Sequence, residues 1–173
     1  REAEPGPDPD GGSTGTERER RAAELGLRLI ELGGEVAVLA NGAGLTMATM
    51  DAVVAAGGRP ANFLEIGGDA YTKATPALEL VLSQPNVRSL VVNFCGAFAR
   101  CDVMTDGVVT AWERLEPTIP VAFSIAGTGR DEAVELLAER LGLEPHPSME
   151  AAVRSAVEAA DSVGGPGSSG AAT

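Results

Sequence analysis

The chain has 173 residues, enough for one ordinary domain, and 44% of them are hydrophobic, which excludes wholesale disorder. A formal net charge of −12 repels nucleic acid and anionic membrane surfaces at long range, and no apolar run is long enough to span a bilayer. Two cysteines and one histidine, at no recognised ligand spacing, are too few for a zinc site.

Taken in order, residues 1–21 are rich in Gly, Pro and acid and predict a linker rather than a folded element. The opening Arg1 in place of methionine suggests a piece of a longer chain. Ala22 to Leu32 is periodic and predicts a short helix or an edge strand. "VAVLAN" (36–41) is an unbroken apolar run suited to a strand buried on both faces. Leu45 to Ala56 then reads as a helix, stopped by Gly57-Gly58. A second strand, "ANFLEIGG" (61–68), precedes a helix containing Pro76 to Ser83, in which Pro76 is expected in the first turn. "RSLVVNFCG" (88–96) is the third strand, with a helix from about Asp102 to Leu115. "IPVAFSIAG" (119–127) is the fourth, followed by a helix over Arg130 to Leu141. The last helix spans Ser148 to Ala160 with Ser148 as its N-cap, and a weak fifth strand is expected around Leu143 to Pro145. Residues 161–173 read as a flexible tail.

Alternating buried strands and helices predict an α/β domain over residues 22–160, with a flavodoxin-like, doubly wound parallel sheet of about five strands covered on both faces. Cys95 and Cys101 could pair, but a full apolar core without a secretory signal favours reduced thiols in a cytoplasmic protein. His146, between two prolines, reads as a surface loop residue, and Met47 and Met50 read as core.

Function is expected at the carboxyl ends of the strands. Glycine turns follow all four: "NGAG" (41–44), "IGGDA" (66–70), "FCGAFA" (94–99) and "AGTGR" (126–130). Each leads into a helix whose first N–H groups are unpaired and carry partial positive charge, a ready anion site. Single turn glycines mostly serve backbone geometry; four on one edge make an anionic ligand about as plausible. The candidate anion-binding residues are Gly42, Ala43, Gly44 and Gly96, with Arg100 as the cation beside the third turn. A dinucleotide fingerprint competes: Gly42, Gly44 and the acid Glu65 fit, but Met47 stands where the third glycine belongs and would hold helix and strand apart. Glu65 with Asp69, and Asp102 with Asp106, could pair as carboxylates, but solvated faces or helix-start charges explain them better. No nucleophile elbow, phosphate-loop lysine or histidine-activated nucleophile occurs, so there is no catalytic residue to name.

Four stretches together resemble the C-terminal CoA-ligase domain of the succinyl-CoA synthetase β subunit: "NGAGLTMATMD" (41–51), "GGRPANFLEIGG" (57–68), "VVNFCGAFARCDVMTDGVV" (91–109) and, more loosely, "PVAFSIAGT" (120–128). The resemblance runs over roughly residues 34–160, with a one-residue deletion near Asp69 to Thr72, and it makes residues 1–21 the end of an absent ATP-grasp domain. It implies a ligase that joins a carboxylic acid to CoA through a phosphohistidine carried by an α subunit. Mg2+, ATP or GTP, and CoA would serve the parent enzyme, this fragment binding none of them and being inactive alone. The implied partners are the α subunit and a small carboxylic acid, with no nucleic acid and no membrane. The resemblance puts Asn41, Ala97, Phe98 and Ala99 at the substrate site and aims a helix starting near that loop at the phosphohistidine. Where the family reads "FGGI", this chain has Cys95-Gly96-Ala97-Phe98. A positive φ at Ala97 would cost about 1 kcal/mol or more and would point to an acid other than succinate. The competing expectation is a non-catalytic nucleotide- or CoA-binding, or structural, module on the same edge.

Overall fold

The computed structural model describes residues 15–67 and 70–163. The linker reading of residues 1–14, the tail reading of 164–173 and the position of Asp69 lie outside them. In chain order the elements are α1 (Glu17–Glu24), β1 (Leu29–Glu31), β2 (Val36–Asn41), α2 (Ala43–Ala55), β3 (Asn62–Ile66), α3 (Ala70–Leu82), β4 (Ser89–Gly96), α4 (Cys101–Leu115), β5 (Val121–Gly127), α5 (Arg130–Leu141) and α6 (Met149–Val163).

The sheet has five strands in the order β1-β3-β2-β4-β5. The four long strands are parallel and follow the flavodoxin-like sequence of second, first, third, fourth, so the expected fold class holds. At the edge only one of the two expected segments forms a strand. No strand forms at Leu143–Pro145; His146 alone pairs with Ser124, its N–H donating to the Phe123 carbonyl at 2.7 Å. The fifth strand is instead β1, antiparallel to β3 with Ile30 opposite Phe63. Flanking prolines deny the later segment a run of donors, whereas Leu27 and Leu29 give the earlier one two buried anchors.

Residues 17–21, read as linker, are helical. Thr16 caps α1 through a reciprocal pairing with Glu19, and Ala22 is fully buried beneath it. Thus Ala22–Leu32 holds both the end of a helix and an edge strand. Residues 161–163 likewise extend α6, whose start is capped as expected by Ser148 Oγ, accepting from Ala151 N–H at 3.1 Å.

Alternation along the strands divides the core. Ala37, Leu39, Leu64, Leu90, Val92 and Phe94 face α1, α3, α4 and α5, while Val36, Val38 and Val91 face α2 and α6. Each large side chain buried here contributes about 1.5–3 kcal/mol. That packing carries Pro76, which stands inside α3 rather than in its first turn. Its missing N–H and ring clash cost about 3 kcal/mol. Ala74, Ala77, Leu78 and Val81, all buried in the same helix, offset this. Cys95 and Cys101 serve opposite faces: the Cys101 thiol is buried under Gly96, and Cys95, one residue out of step with Phe94, is exposed towards the α2 side. Both are free thiols.

Two asparagines fill gaps in the sheet. Between the pairings Val36–Pro60 and Ala40–Glu65 the ladder is interrupted. There the buried Asn62 amide grips Val38, Nδ2 donating to its carbonyl at 2.8 Å and Oδ1 accepting from its N–H at 3.3 Å. The second, Asn41, does the same for Cys95 at the carboxyl edge.

Candidate functional site

β2 and β4 stop pairing through their backbones at Ala40–Asn93. Beyond that rung Asn41 Nδ2 donates to the Cys95 carbonyl and Asn41 Oδ1 accepts from the Cys95 N–H, both at 2.9 Å. The side-chain amide stands in for a peptide group and holds the start of the β4–α4 loop. Asn41 therefore reaches the expected edge, but its amide is already engaged by its own chain.

After Asn41 the backbone turns at Gly42, with φ 81 and ψ 145, a region open essentially only to glycine. Gly42 is the N-cap of α2, no side chain caps that helix, and its first turn holds no acidic residue. Gly42, Ala43 and Gly44 are all exposed. A Cβ on Gly44 would meet nothing within 4 Å, and its φ is not in the left-handed region. Among the described residues, neither packing nor torsion calls for glycine there.

The turns after β4 and β5, to one side of β2, are closed. A Cβ on Gly96 would strike the Thr128 carbonyl, and one on Gly127 (φ 87) would strike Gly96 itself. Cys101 N–H donates to the Thr128 carbonyl at 2.8 Å, locking the start of α4 to the β5–α5 turn. Asp102 accepts from N–H groups of its own helix's first turn and from Arg100 Nε at 2.9 Å. The hydrogen bond from Arg100 is the largest influence holding the Asp102 carboxyl below its usual range. Arg100 also reaches Glu132 at 3.3 Å. So Arg100 is engaged by two carboxylates of its own chain, and the start of α4, the helix expected from the resemblance to face a phosphohistidine, already carries an anion of its own. Gly96 is needed for packing, whereas the start of α2 is uncapped and free of acidic residues.

In the loop between, Ala97 N–H donates to the Ala99 carbonyl at 3.2 Å. Ala97 does not adopt a positive φ, since Glu116 (φ 45) is the sole non-glycine that does among the described residues. The anticipated strain is absent. Ala99 packs against the core, whereas Phe98, at 104% relative exposure, touches almost nothing. Met47 is 58% exposed, which corrects its reading as core: Thr46 and Thr49 take the sheet-facing positions of α2. Thr49 Oγ1 donates to the Leu45 carbonyl and accepts from buried Asn93 Nδ2 at 3.0 Å, so polar side chains are satisfied there. Methionine therefore does not prise helix from strand.

Beyond Gly42, on the side away from Asn41, lies a cavity of about 300 Å³ lined by Arg28, Gly42, Glu65, Gly67 and Lys73 among others. The Arg28 guanidinium is stacked 5.6 Å from the centroid of Phe63. The sequence reading missed Arg28; its one signal was a cation beside an apolar run in a chain poor in basic residues. Asp106 pairs with Arg140 at 2.6 Å and not with Asp102. Among the described residues no three His, Cys, Asp or Glu side chains gather as a metal site, and no helix is long and apolar enough to cross a membrane.

A doubly wound α/β sheet with an uncapped, acid-free helix start at its carboxyl edge is the frame of many ligand-binding domains. Residues 39–158 match the CoA-ligase family, and the chain belongs to that family. It is 42% identical over 147 residues to the ADP-forming succinate–CoA ligase subunit beta of Roseiflexus sp. (strain RS-1), covering 84% of this chain and 38% of that protein. With the same subunit of Anaeromyxobacter dehalogenans (strain 2CP-C) it shares 40% over 145 residues, 83% of this chain and 37% of the other. The chain thus spans under two fifths of the length of these relatives. Among solved structures, a protein from Pyrococcus horikoshii OT3 superposes with a TM-score of 0.59 at 20% identity, over 75% of this chain and 36% of that one. The apo dinucleotide-forming acetyl-coenzyme A synthetase 1 of Ca. Korarchaeum cryptofilum gives 0.57 at 23%, over 77% and 34%. At those identities the likeness is one of fold.

Proposed function

We propose that this chain is the CoA-ligase domain of an acid–CoA ligase β subunit, which docks an α subunit on its carboxyl edge. There it would help hold a small carboxylic acid and the partner's phosphohistidine during acid + CoA + NTP = acyl-CoA + NDP + phosphate. Mg2+, ATP or GTP, and CoA belong in this reading to the complete enzyme, and the chain alone is inactive. The names of its relatives support a β-type subunit. The observation that carries the reading is the uncapped, acid-free start of α2, with Gly44 keeping its backbone bare. Unpaired N–H groups and the helix dipole favour an anion there. Asn41 acts by fixing the Cys95 end of the neighbouring loop, and Phe98 by offering a ring for the partner to bury. Arg100 enters as the clamp on Asp102, not as an anion ligand.

The test mixes the purified chain with the α-type subunit of the same organism and follows association by sedimentation and calorimetry. Complex formation, weakened by Phe98→Ala, is the expected result; no association removes the reading. A second reading, a nucleotide- or CoA-binding module, draws support from the cavity that joins Gly42 to Glu65. Titration with NAD and with CoA tests it, and no heat from either ends it.

A further inference from the structure

The carboxyl end of β3 holds two opposite charges that do not meet. β1 and β3 pair with Leu29 opposite Leu64, so one rung further on Arg28 stands beside Glu65. Leu29 and Leu64 belong to the core on the α3 side. Alternation therefore sends Arg28 and Glu65 to the other face, where the Arg28 guanidinium is stacked on Phe63. Opposite charges at neighbouring positions on one face ordinarily close on each other. Here neither side chain makes an ion pair or a hydrogen bond with another of the described residues. Both instead line the cavity of about 300 Å³ beside Gly42. Glu65 is half-buried there, so its carboxylate has given up part of its water without gaining a partner.

The remaining walls are bare backbone and positive charge. Gly26, Gly42 and Gly67 line the cavity, and Gly42 opens a helix with no acid in its first turn. The Lys73 ammonium reaches the Gly26 turn, where a Cβ would stand 3.6 Å from Nζ. The planar fork of Arg28 and the N–H groups of the Gly42 turn suit a phosphate. An ionised carboxylate only accepts, so Glu65 calls for a donor from the ligand. It stands near the end of the strand that follows the glycine turn, where an acid in a doubly wound sheet accepts from ribose hydroxyls. An α-amino acid would bring its ammonium among two cations with a single carboxylate to hold it. The volume is at the lower end of small-molecule sites, which suits a small ligand and not a dinucleotide or CoA. A single phosphate also does without the close pyrophosphate approach that a third glycine serves. We infer that this cavity binds a phosphorylated ribose, free or as part of a mononucleotide. Its phosphate lies at Arg28 and the Gly42 turn, and its neighbouring hydroxyls donate to Glu65. The site shares its cavity with the second reading above but not that reading's ligands, and it requires no partner subunit.

The test titrates the purified chain by calorimetry with ribose 5-phosphate, adenosine monophosphate, adenosine and inorganic phosphate, and with NAD and CoA alongside. At least one ribose phosphate should bind tenfold or more tightly than inorganic phosphate, and adenosine should not bind. Ribose 5-phosphate binding as well as the nucleotide assigns the free sugar phosphate; a clear preference for the nucleotide assigns a base stacked on the outer face of Arg28. Arg28→Leu should abolish binding of every phosphate. Glu65→Gln should weaken the ribose phosphates tenfold or more and leave inorganic phosphate no weaker. Thermal melts check that both variants are folded. Silence with both ribose phosphates overturns the inference, as does inorganic phosphate binding equally well. Binding that survives both substitutions places the ligand elsewhere and overturns it too. Heat from NAD or CoA with both ribose phosphates silent leaves the second reading standing and this inference overturned. Ribose phosphate binding with NAD and CoA silent does the reverse.

Discussion

The turn after the central strand β2 and those after its neighbours β4 and β5 look alike in sequence and differ in cause. Around β4 and β5, glycine is there because there is no room: Gly96, Gly127 and the Thr128 carbonyl are stacked against one another, and α4 is bolted to that stack through Cys101. Around β2, glycine is there although there is room. Gly42 answers to its backbone angles, and Gly44 answers to nothing among the described residues. One corner is finished by the fold; the other is left open at the point where an uncapped helix begins. A glycine-rich loop is therefore evidence for a ligand only once its internal reasons have been subtracted.

This contrast can be broken most sharply at Gly96. Gly96→Ala forces a Cβ into the neighbouring backbone and is expected to cost about 3 kcal/mol, read as a fall in the urea midpoint. Stability within a few tenths of wild type would mean that the closed corner can yield, and the contrast would lose one side. At the open turn the two glycines should part company. Gly42→Ala is expected to destabilise by about 1–3 kcal/mol through its backbone angles alone. Gly44→Ala should stabilise by about 0.4–1 kcal/mol, since an exposed helical glycine gains from a Cβ, yet weaken association with the partner. A Gly44→Ala variant that is both more stable and fully competent would leave Gly44 without a role.

The smallest effect concerns acid. Arg100 lowers the Asp102 carboxyl in the folded state, so the pair stabilises the fold above the ordinary aspartate value. That contribution is lost as pH falls through the lowered folded value, below about 4. Asp102→Asn should flatten this acid limb of the stability curve and leave neutral stability little changed, the pair being at the surface. A steeper limb in the variant would refute the assignment.

Much of the fold could be read in the chain because it rests on local patterns. Apolar runs such as "VAVLAN" call for strands buried on both faces, and the interval up to Gly57-Gly58 calls for a helix. The errors share a cause. Helix propensity places Pro76 in a first turn, and packing across α3 overrides it. Two short segments, Ala22 to Leu32 and Leu143 to Pro145, offer an edge strand on pattern alone, and burial of Leu27 and Leu29 selects the earlier. Apolar character points Met47 inward, while the threonines that take the inner positions are satisfied, Thr46 by the Gly42 carbonyl and Thr49 by Leu45 and Asn93.

For the site, the sequence by itself determined the parts: Asn41, the paired glycines of its turn, the exposed loop around Phe98, and the edge on which they meet. It determined the parallel architecture as well, since buried strand runs separated by amphipathic helices have few other ways to satisfy their backbones. The tertiary structure alone decided what each part is occupied with. Asn41 spends its amide on Cys95, Arg100 its charge on Asp102 and Glu132, and Gly96 its missing side chain on Thr128. Those partners lie 2 to 54 positions away along the chain, and most face their residue only after strands from different parts of it have been laid side by side. Hydrogen bonds and steric limits act over a few ångströms of space, not along the sequence, so which groups are left open to a partner is settled only when the chain has folded.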